Sequence, residues 1–417
     1  MNMLKESLGS TLCVLMAACA FGLAQAAPAP PPPALLPDDG NTYDFYIADQ
    51  EQYDSNLYRL PTDAGSVATL VSPKASRSDL INSASAGGDG QWVAGRQIVE
   101  LNLRVDENRF EHNDDLNNTS YYGNVHGYWQ VGAHLSGDAG VTYNHALASF
   151  DETRELGRDL TDTEREFGNA RYQIGPRWAI YGGISDMSVE HSAQQAQYND
   201  FHLKQGDVGF EIDTSADDTY ALEYSYSDGG FPPSTLNGAP LASDYHEDLL
   251  RLVMKYVFSD KTEIDAYAGY RKRDFTATDT KAFSGDVWRV AVTWQPTEKT
   301  QVLFAGWREL KSYASAESDY FVSTGGSISP VWNATEKLKL AFVLSYENQD
   351  YIAQSTSVII LGPLNAKIAT EQANITYSPR SSWIFNLALN HQKRDSNQYT
   401  YQFGDDLAAL SVLYKIH

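Results

Sequence analysis

The sequence predicts an all-β protein, a transmembrane antiparallel up-and-down β-barrel of about 18 strands, with about 16 as the fallback count. Three observations predict it. Ribbons of alternating apolar and polar residues recur from Arg96 to the end of the chain. No amphipathic helix or second apolar layer is present to cover their apolar faces, so lipid is the partner those faces need. The connections between ribbons alternate short with long, the habit of barrels with short periplasmic turns and long extracellular loops.

The chain has 417 residues and begins with Lys5 ahead of an apolar run from Leu12 to Leu23, followed by Ala24-Gln25-Ala26. This pattern predicts a signal peptide over residues 1–26, cleaved after Ala26, and hence export from the cytoplasm. The stretch Leu15-Met16-Ala17-Ala18-Cys19 resembles a lipoprotein cleavage box with Met16 in place of the usual leucine, which leaves lipidation of Cys19 as the alternative. Cys13 and Cys19 are the only cysteines. A mature chain starting at Ala27 therefore carries neither a disulfide nor a thiolate metal site. Residues 27–40 open with APAPPPPALLP, a polyproline-like periplasmic linker that cannot join a sheet. The barrel is expected over residues 41–417.

The formal net charge of −23 argues against nucleic acid as a partner, because phosphate backbones reward a basic face. Mean hydropathy is −0.41, too polar for a helical membrane protein, and no later run reaches the roughly eighteen apolar residues of a spanning helix. A lipid-embedded barrel remains allowed, since only alternate residues of each strand need be apolar.

The first two strands are expected at Tyr43–Asp49 and Leu80–Gly88. From Val99 the third is plain: Val99, Leu101, Leu103 and Val105 alternate with Glu100, Asn102 and Arg104. Gly123 to Val131 and Leu135 to Tyr143 follow as a hairpin. The unit then repeats. Ala170–Ile174 turns into Trp178–Ile184, Val208–Ile212 into Tyr220–Tyr226, Leu250–Phe258 into Ile264–Tyr270, and Trp288–Trp294 into Leu303–Trp307. Val322–Ile328 turns into Leu338–Tyr346, Ala373–Tyr377 into Trp383–Leu389, and Leu410–Ile416 closes the chain, paired with the first strand. Trp178, Trp294, Trp383, Phe258 and Tyr377 lie beside short turns, whereas Tyr143, Tyr226, Tyr270, Trp307 and Tyr346 lie toward long loops. Both sets read as the two aromatic girdles of a lipid-facing band.

With the apolar rows facing lipid, the opposite rows become lumen wall. The residues expected there are Glu100, Asn102, Arg104, Asp138, Arg171, Glu211, Glu223, Arg251, Lys255, Asp265, Arg271, Arg289, Arg308, Lys337 and Lys339. Mixed charges keep a wide barrel wet, and can sort ions or hydrogen-bond hydroxyl groups. The bland alternative is a hydrated wall whose charges pair with one another. Nothing marks a catalyst: there is no G-x-S-x-G, no H-E-x-x-H, and no cysteine beyond the leader. The acidic stretches Asp114-Asp115 and Asp159–Glu166 lack the ligand spacing and central glycine of a calcium loop. No catalytic residue, metal site or cofactor is expected.

Several early stretches resemble the EpsL-type outer-membrane proteins encoded with exopolysaccharide biosynthesis clusters, within a wider group of β-barrel porins. Tyr53-Asp54-Ser55-Asn56-Leu57-Tyr58-Arg59-Leu60 resembles that family's Y-D-D-N-L-F-R-L segment, with Ser55 and Tyr58 as departures. Arg77-Ser78-Asp79, Ala84-Ser85-Ala86-Gly87 and Gly95-Arg96-Gln97 follow in the family's order. The resemblance covers about the first hundred residues; the rest agrees by pattern only. It implies an exopolysaccharide biosynthesis and export component of the Gram-negative outer membrane. The partners it implies are outer-membrane lipid, a secreted polysaccharide, and periplasmic or inner-membrane export machinery. A general or solute-selective porin is the alternative, and an outer-membrane enzyme a third reading.

Overall fold

The computed structural model describes residues 40–63, 75–151, 156–214, 218–232, 235–236, 239–240, 244–276, 282–312, 318–353 and 364–416. The expected signal peptide, and all of the proline-rich linker but its last residue, lie outside these residues. Strands dominate. The first half comprises β1 (Thr42–Asp54), β2 (Asp79–Ala94), β3 (Gln97–Phe110), β4 (Asn118–Val131), β5 (Leu135–Leu147), β6 (Leu160–Gln173), β7 (Trp178–His191), β8 (Phe201–Asp213) and β9 (Thr219–Gly230). A two-residue pair, β10 (Thr235–Leu236) and β11 (Ala239–Pro240), stands apart as its own small ladder. The second half comprises β12 (Tyr245–Ser259), β13 (Thr262–Phe275), β14 (Phe283–Thr297), β15 (Thr300–Ser312), β16 (Ser318–Thr335), β17 (Leu338–Ala353), β18 (Asn365–Arg380), β19 (Trp383–Ser396) and β20 (Phe403–Ile416).

Apart from the small pair, every strand is antiparallel to its neighbours in sequence, in one 18-stranded sheet. β9 pairs with β12, and β20 pairs with β1 from Phe45↔Ile416 to Asp54↔Leu407, which closes the barrel. Closure satisfies every edge, the condition for burying strands in lipid. Following the register once round returns to β1 displaced by roughly 22 residues, a stagger that gives a strand tilt of about 40° and a backbone radius of about 18 Å.

The alternation is visible in exposure. In β12, Tyr245, Glu247, Leu249 and Arg251 are buried, while Leu250 and Leu252 on the opposite row are 53% and 64% exposed. Similar outward rows run from Phe45 and Ile47 on β1 to Leu410 and Tyr414 on β20. An exposed apolar surface of this extent is a membrane-facing surface. Trp178, Trp294, Trp383, Phe258 and Tyr377 are exposed at one rim, and Tyr143, Tyr226, Tyr270 and Tyr346 toward the other.

The short turns match expectation. Gly95, at φ 66°, completes the two-residue link between β2 and β3, a positive dihedral that glycine adopts without steric cost. The long connections are shorter than the sequence suggests, because the strands continue past the apolar band. β3 runs to Phe110 and β4 starts at Asn118, where the expected loop spans Asp106 to Ser120. Beyond the lipid the outward residues turn polar, so periodicity disappears although the backbone ladder persists.

Two expectations fail at this level. Trp307 is not part of an outer girdle: it is 9% exposed, its indole N–H donates to Ser323 Oγ at 2.9 Å, and it lies against Gly325 directly opposite. A Cβ on Gly325 would come within 2.7 Å of that ring, so the glycine makes the inward seat. Consequently Phe304, 40% exposed, takes the outer row of β15, and Arg308 shares its face with Trp288 rather than lining the lumen. Arg308 Nε lies 3.5 Å from Asp286 Oδ2. The run Val302-Leu303-Phe304-Ala305 is apolar on both faces, so the sequence offers no parity there and the cross-strand partners decide it. Lys337 is the other correction. It sits in the β16–β17 turn, its carbonyl accepting from Ser378 N at 2.8 Å, and is not a wall residue.

Apolar packing inside the barrel concentrates at the outer ends of the strands. One cluster joins Leu57, Tyr58 and Leu60 of the β1–β2 connection to Ile81, Phe110, Leu116 and Phe150. A second gathers Phe201, Leu203, Tyr245, Phe275 and Tyr320, and a third Phe321, Tyr351 and Tyr401.

Candidate functional site: the inward wall

Glu100, Asn102 and Arg104 stand on the polar row of β3, opposite the lipid-facing Val99, Leu103 and Val105. Asn102 donates its amide to Asp89 on β2, and Arg104 Nε donates to Asp106 Oδ1 at 2.6 Å. These residues line a cleft of about 340 Å³ with Asp44, Tyr46 and Tyr122. Next along the wall, Asp138 on β5 accepts from the Asn169 amide at 3.3 Å and lies 2.9 Å from His126 Nε2.

Groups of paired charges and rings follow from β6 to β15. Arg171 donates from Nε to Glu211 (2.8 Å) and from Nη2 to Asp213 (3.0 Å). Glu223, 1% exposed, accepts from Tyr181 Oη (2.9 Å) and from Arg251 Nε (2.8 Å) and Nη2 (2.5 Å). Arg251 lies 5.2 Å from the centre of the Tyr267 ring, whose hydroxyl donates to Glu309 at 2.6 Å. Glu309 is 3.5 Å from Arg289, which in turn faces the Trp307 ring at 5.7 Å. Toward the outer end, Glu247 holds both Arg271 (3.5 Å) and Arg273 (2.8 Å), and Arg273 lies 3.9 Å over Tyr245. Lys255 pairs with Glu263 at 3.3 Å, with Asp265 opposite it in register. Lys339 stands on β17, in register between Asn333 and Thr376.

Buried arginine and carboxylate hold each other here because either alone would be an uncompensated charge in a low-dielectric wall. Cation–π contacts extend that hold to the tyrosines and Trp307. The structure thus joins Arg171 to Glu211, Glu223 to Arg251, and the β3 residues to one cleft. It does not join Arg308 or Lys337 to any of these. Sequence reasoning missed Glu247, Arg273, Asp213 and Glu309. Glu247 and Arg273 are reached by carrying the strand parity of Arg251 and Arg271 one or two steps outward. Tyr181 and Tyr267 were missed because aromatic residues in a barrel read first as lipid-facing.

Among the described residues no three His, Cys, Asp or Glu side chains come together as metal ligands. The described side chains on these rows form paired charges and rings along the inner face of the sheet.

Residues 254–416 match the family described as "Putative beta-barrel porin 2". The matched segment runs from the middle of β12 to the end of β20. No curated protein matches the chain. Among solved structures, the chain is similar to OccK7 (OpdD) of Pseudomonas aeruginosa, with 9% identity and a TM-score of 0.49 over 90% of this chain and 98% of that one. The BenF-like porin of Pseudomonas fluorescens Pf-5 gives 9% identity and a TM-score of 0.47 over 90% and 99%. The alcaligin receptor FauA of Bordetella pertussis gives 9% and 0.44 over 89% and 76%. The chain is a closed 18-stranded antiparallel β-barrel whose second half matches that family.

Proposed function

We propose that the protein is a passive channel of the Gram-negative outer membrane for small hydrophilic solutes, exported by a signal peptide cleaved after Ala26. The observation that carries this reading is the contrast between the two faces of a closed sheet. Outside, the rows are apolar and lipid is their partner; the opposite rows carry Glu100, Asn102, Arg104, Asp138, Arg171, Glu211, Glu223, Arg251, Lys255, Asp265, Arg271, Arg289 and Lys339, and on this reading they are the wall of a polar lumen. A porin family match over β12–β20 supports the same reading. No catalytic group is needed. Paired charges of both signs suit solutes that exchange water for fixed hydrogen bonds along a wall.

The test is conductance. Purified, heat-modifiable protein in a planar bilayer is expected to give discrete current steps that scale with salt, and proteoliposomes to swell in small polyols. Folded protein that gives neither overturns the channel.

A second reading, passage of a secreted polysaccharide, draws on the resemblance of Tyr53–Leu60 and Arg77–Gln97 to exopolysaccharide-linked barrels. On that reading the export machinery is a further partner. Addition of the cognate polymer to an open channel discriminates: transient blockades favour export, and indifference leaves the solute channel.

A further inference from the structure

The outer end of β1 does not run out into a free loop. Ser55 N donates to Asp406 O at 3.0 Å, extending the β1–β20 ladder, and the chain then doubles back. The Asn56 side chain closes the turn: its amide donates to Leu60 O (2.8 Å) and to Gly404 O (2.9 Å), and its Oδ1 accepts from Leu60 N (3.0 Å). Arg59 lies within the turn at φ 52°, alone among non-glycine described residues in having a positive φ. A bulky side chain keeps that backbone only where its surroundings enforce it.

Three carboxylates enforce it. Arg59 Nη1 donates to both oxygens of Asp54 at 3.0 Å, and Nε donates to Asp151 Oδ1 at 2.7 Å. Nη2 lies 3.3 Å from Asp405 Oδ2, and the Asp54 and Asp405 side chains are 4% and 0% exposed. These groups come from β1, from the β5–β6 connection and from β20, so one guanidinium ties three separate parts of the rim. On the other side of the turn, Tyr58 donates its hydroxyl to Asn113 Oδ1 at 2.9 Å and meets the Phe150 ring edge-on at 5.0 Å.

The strand anchors stand on inward rows. Asp405 shares its row with Leu407, Ala409 and Leu413, whereas the outward row of β20 carries Leu410 and Tyr414. Ile81 and Phe110 are likewise buried on the inner faces of β2 and β3. The turn therefore lies within the mouth of the barrel. We infer that residues 55–61 form a strap that sets the size limit of the pore, and that Arg59 is the residue that positions it. This inference rests on the channel reading above. It also gives a physical part to the Tyr53–Leu60 stretch, whose Asp54, Asn56 and Arg59 are the residues that fold it inward.

The test uses the full chain in bilayers, with polyethylene glycols of graded size as the probe of pore width. Wild type is expected to exclude glycols that Arg59→Ala admits, with conductance rising about twofold or more as the constriction is released, and Arg59→Lys falling between the two. Current from both proteins with one size cut-off overturns the strap and leaves the channel standing. No current from either protein, both inserted and heat-modifiable, overturns the channel reading and the strap with it. Should Arg59→Ala fail to fold, Leu57→Cys in the otherwise wild-type chain decides. As Cys13 and Cys19 both precede Ala26, the mature protein offers no competing thiol. A membrane-impermeant maleimide added outside is expected to label the introduced thiol at least about tenfold more slowly than a cysteine in an exposed loop, because labelling must wait for local opening. Equal rates overturn the inward strap.

Discussion

Arg251 and Glu223 show how single residues hold the inner wall. Each is almost wholly buried, and each directs its charge to the other. Arg251→Ala leaves Glu223 with only the Tyr181 hydroxyl, so about 3–5 kcal/mol of stability is expected to go, read as a lowered urea midpoint of the detergent-folded protein. Replacing both, Arg251→Met with Glu223→Gln, removes the charge and its need together and is expected to cost far less. A loss in the double variant equal to the sum of the separate Arg251→Met and Glu223→Gln losses would mean that the pair is not coupled. Tyr58 offers a test by pH. Burial, with smaller contributions from Asp79 and Asp115, pushes its hydroxyl up to about 12. Between pH 10 and 12 the unfolded chain has released a proton that the folded chain retains, so stability falls as pH rises through that window. The advantage of wild type over Tyr58→Phe, measured as a difference in urea midpoint, is expected to shrink from pH 9 to near pH 11; a constant difference would place Tyr58 in water. None of this was legible from composition. Arg59 belongs to a motif noticed only by resemblance, and two of its three carboxylates, Asp151 and Asp405, come from distant parts of the chain.

At the scale of the strand, alternation gave the faces wherever it was clean. β3 was legible because Leu101, Leu103 and Val105 each have polar neighbours on both sides, and β12 because Arg251 and Lys255 mark one face while Leu250, Leu252 and Met254 mark the other. β15 was not, since Val302 to Ala305 would satisfy lipid in either parity, and the deciding facts are a glycine and a serine on β16. Extending a strand beyond lipid was illegible for a related reason: hydrogen bonding to a neighbour leaves no trace in hydropathy. The parity of β15 makes a direct prediction. Phe304→Arg places a charge against lipid and is expected to cost about 2–4 kcal/mol if it lies near the midplane. Leu303→Arg, one residue away on the inner face, is expected to cost clearly less. Urea titration of the two variants in lipid vesicles reads the difference, and the reverse order would restore the parity in which Trp307 and Leu303 face outward.

For the whole molecule the decisive property is closure. Strand number could be approached by counting ribbons, and the even count brings the last strand back to the side on which the first begins. The stagger could not be counted, because it is the sum of register choices at 18 interfaces, each fixed by local pairs such as Trp307 with Gly325. Closure depends most directly on β20, which pairs with β19 from Trp383↔Tyr414 to Arg394↔Phe403 and with β1 over ten residue pairs from Phe45↔Ile416 to Asp54↔Leu407. Deleting residues 410–417 removes seven of the ten residue pairs with β1 and five of the twelve with β19 at once. The freed edges of β1 and β19 would then present unpaired N–H and C=O groups to hydrocarbon, each costing several kcal/mol. The same deletion spares Asp405 and leaves the strap's partners on β20 in sequence, so any loss reports closure rather than the mouth. The truncated chain is expected to lose the heat-modifiable band and to fail to insert into vesicles. A truncated protein that still inserts and resists unfolding in cold detergent would show that β20 is an accessory strand and that β1 and β19 can seal the wall without it.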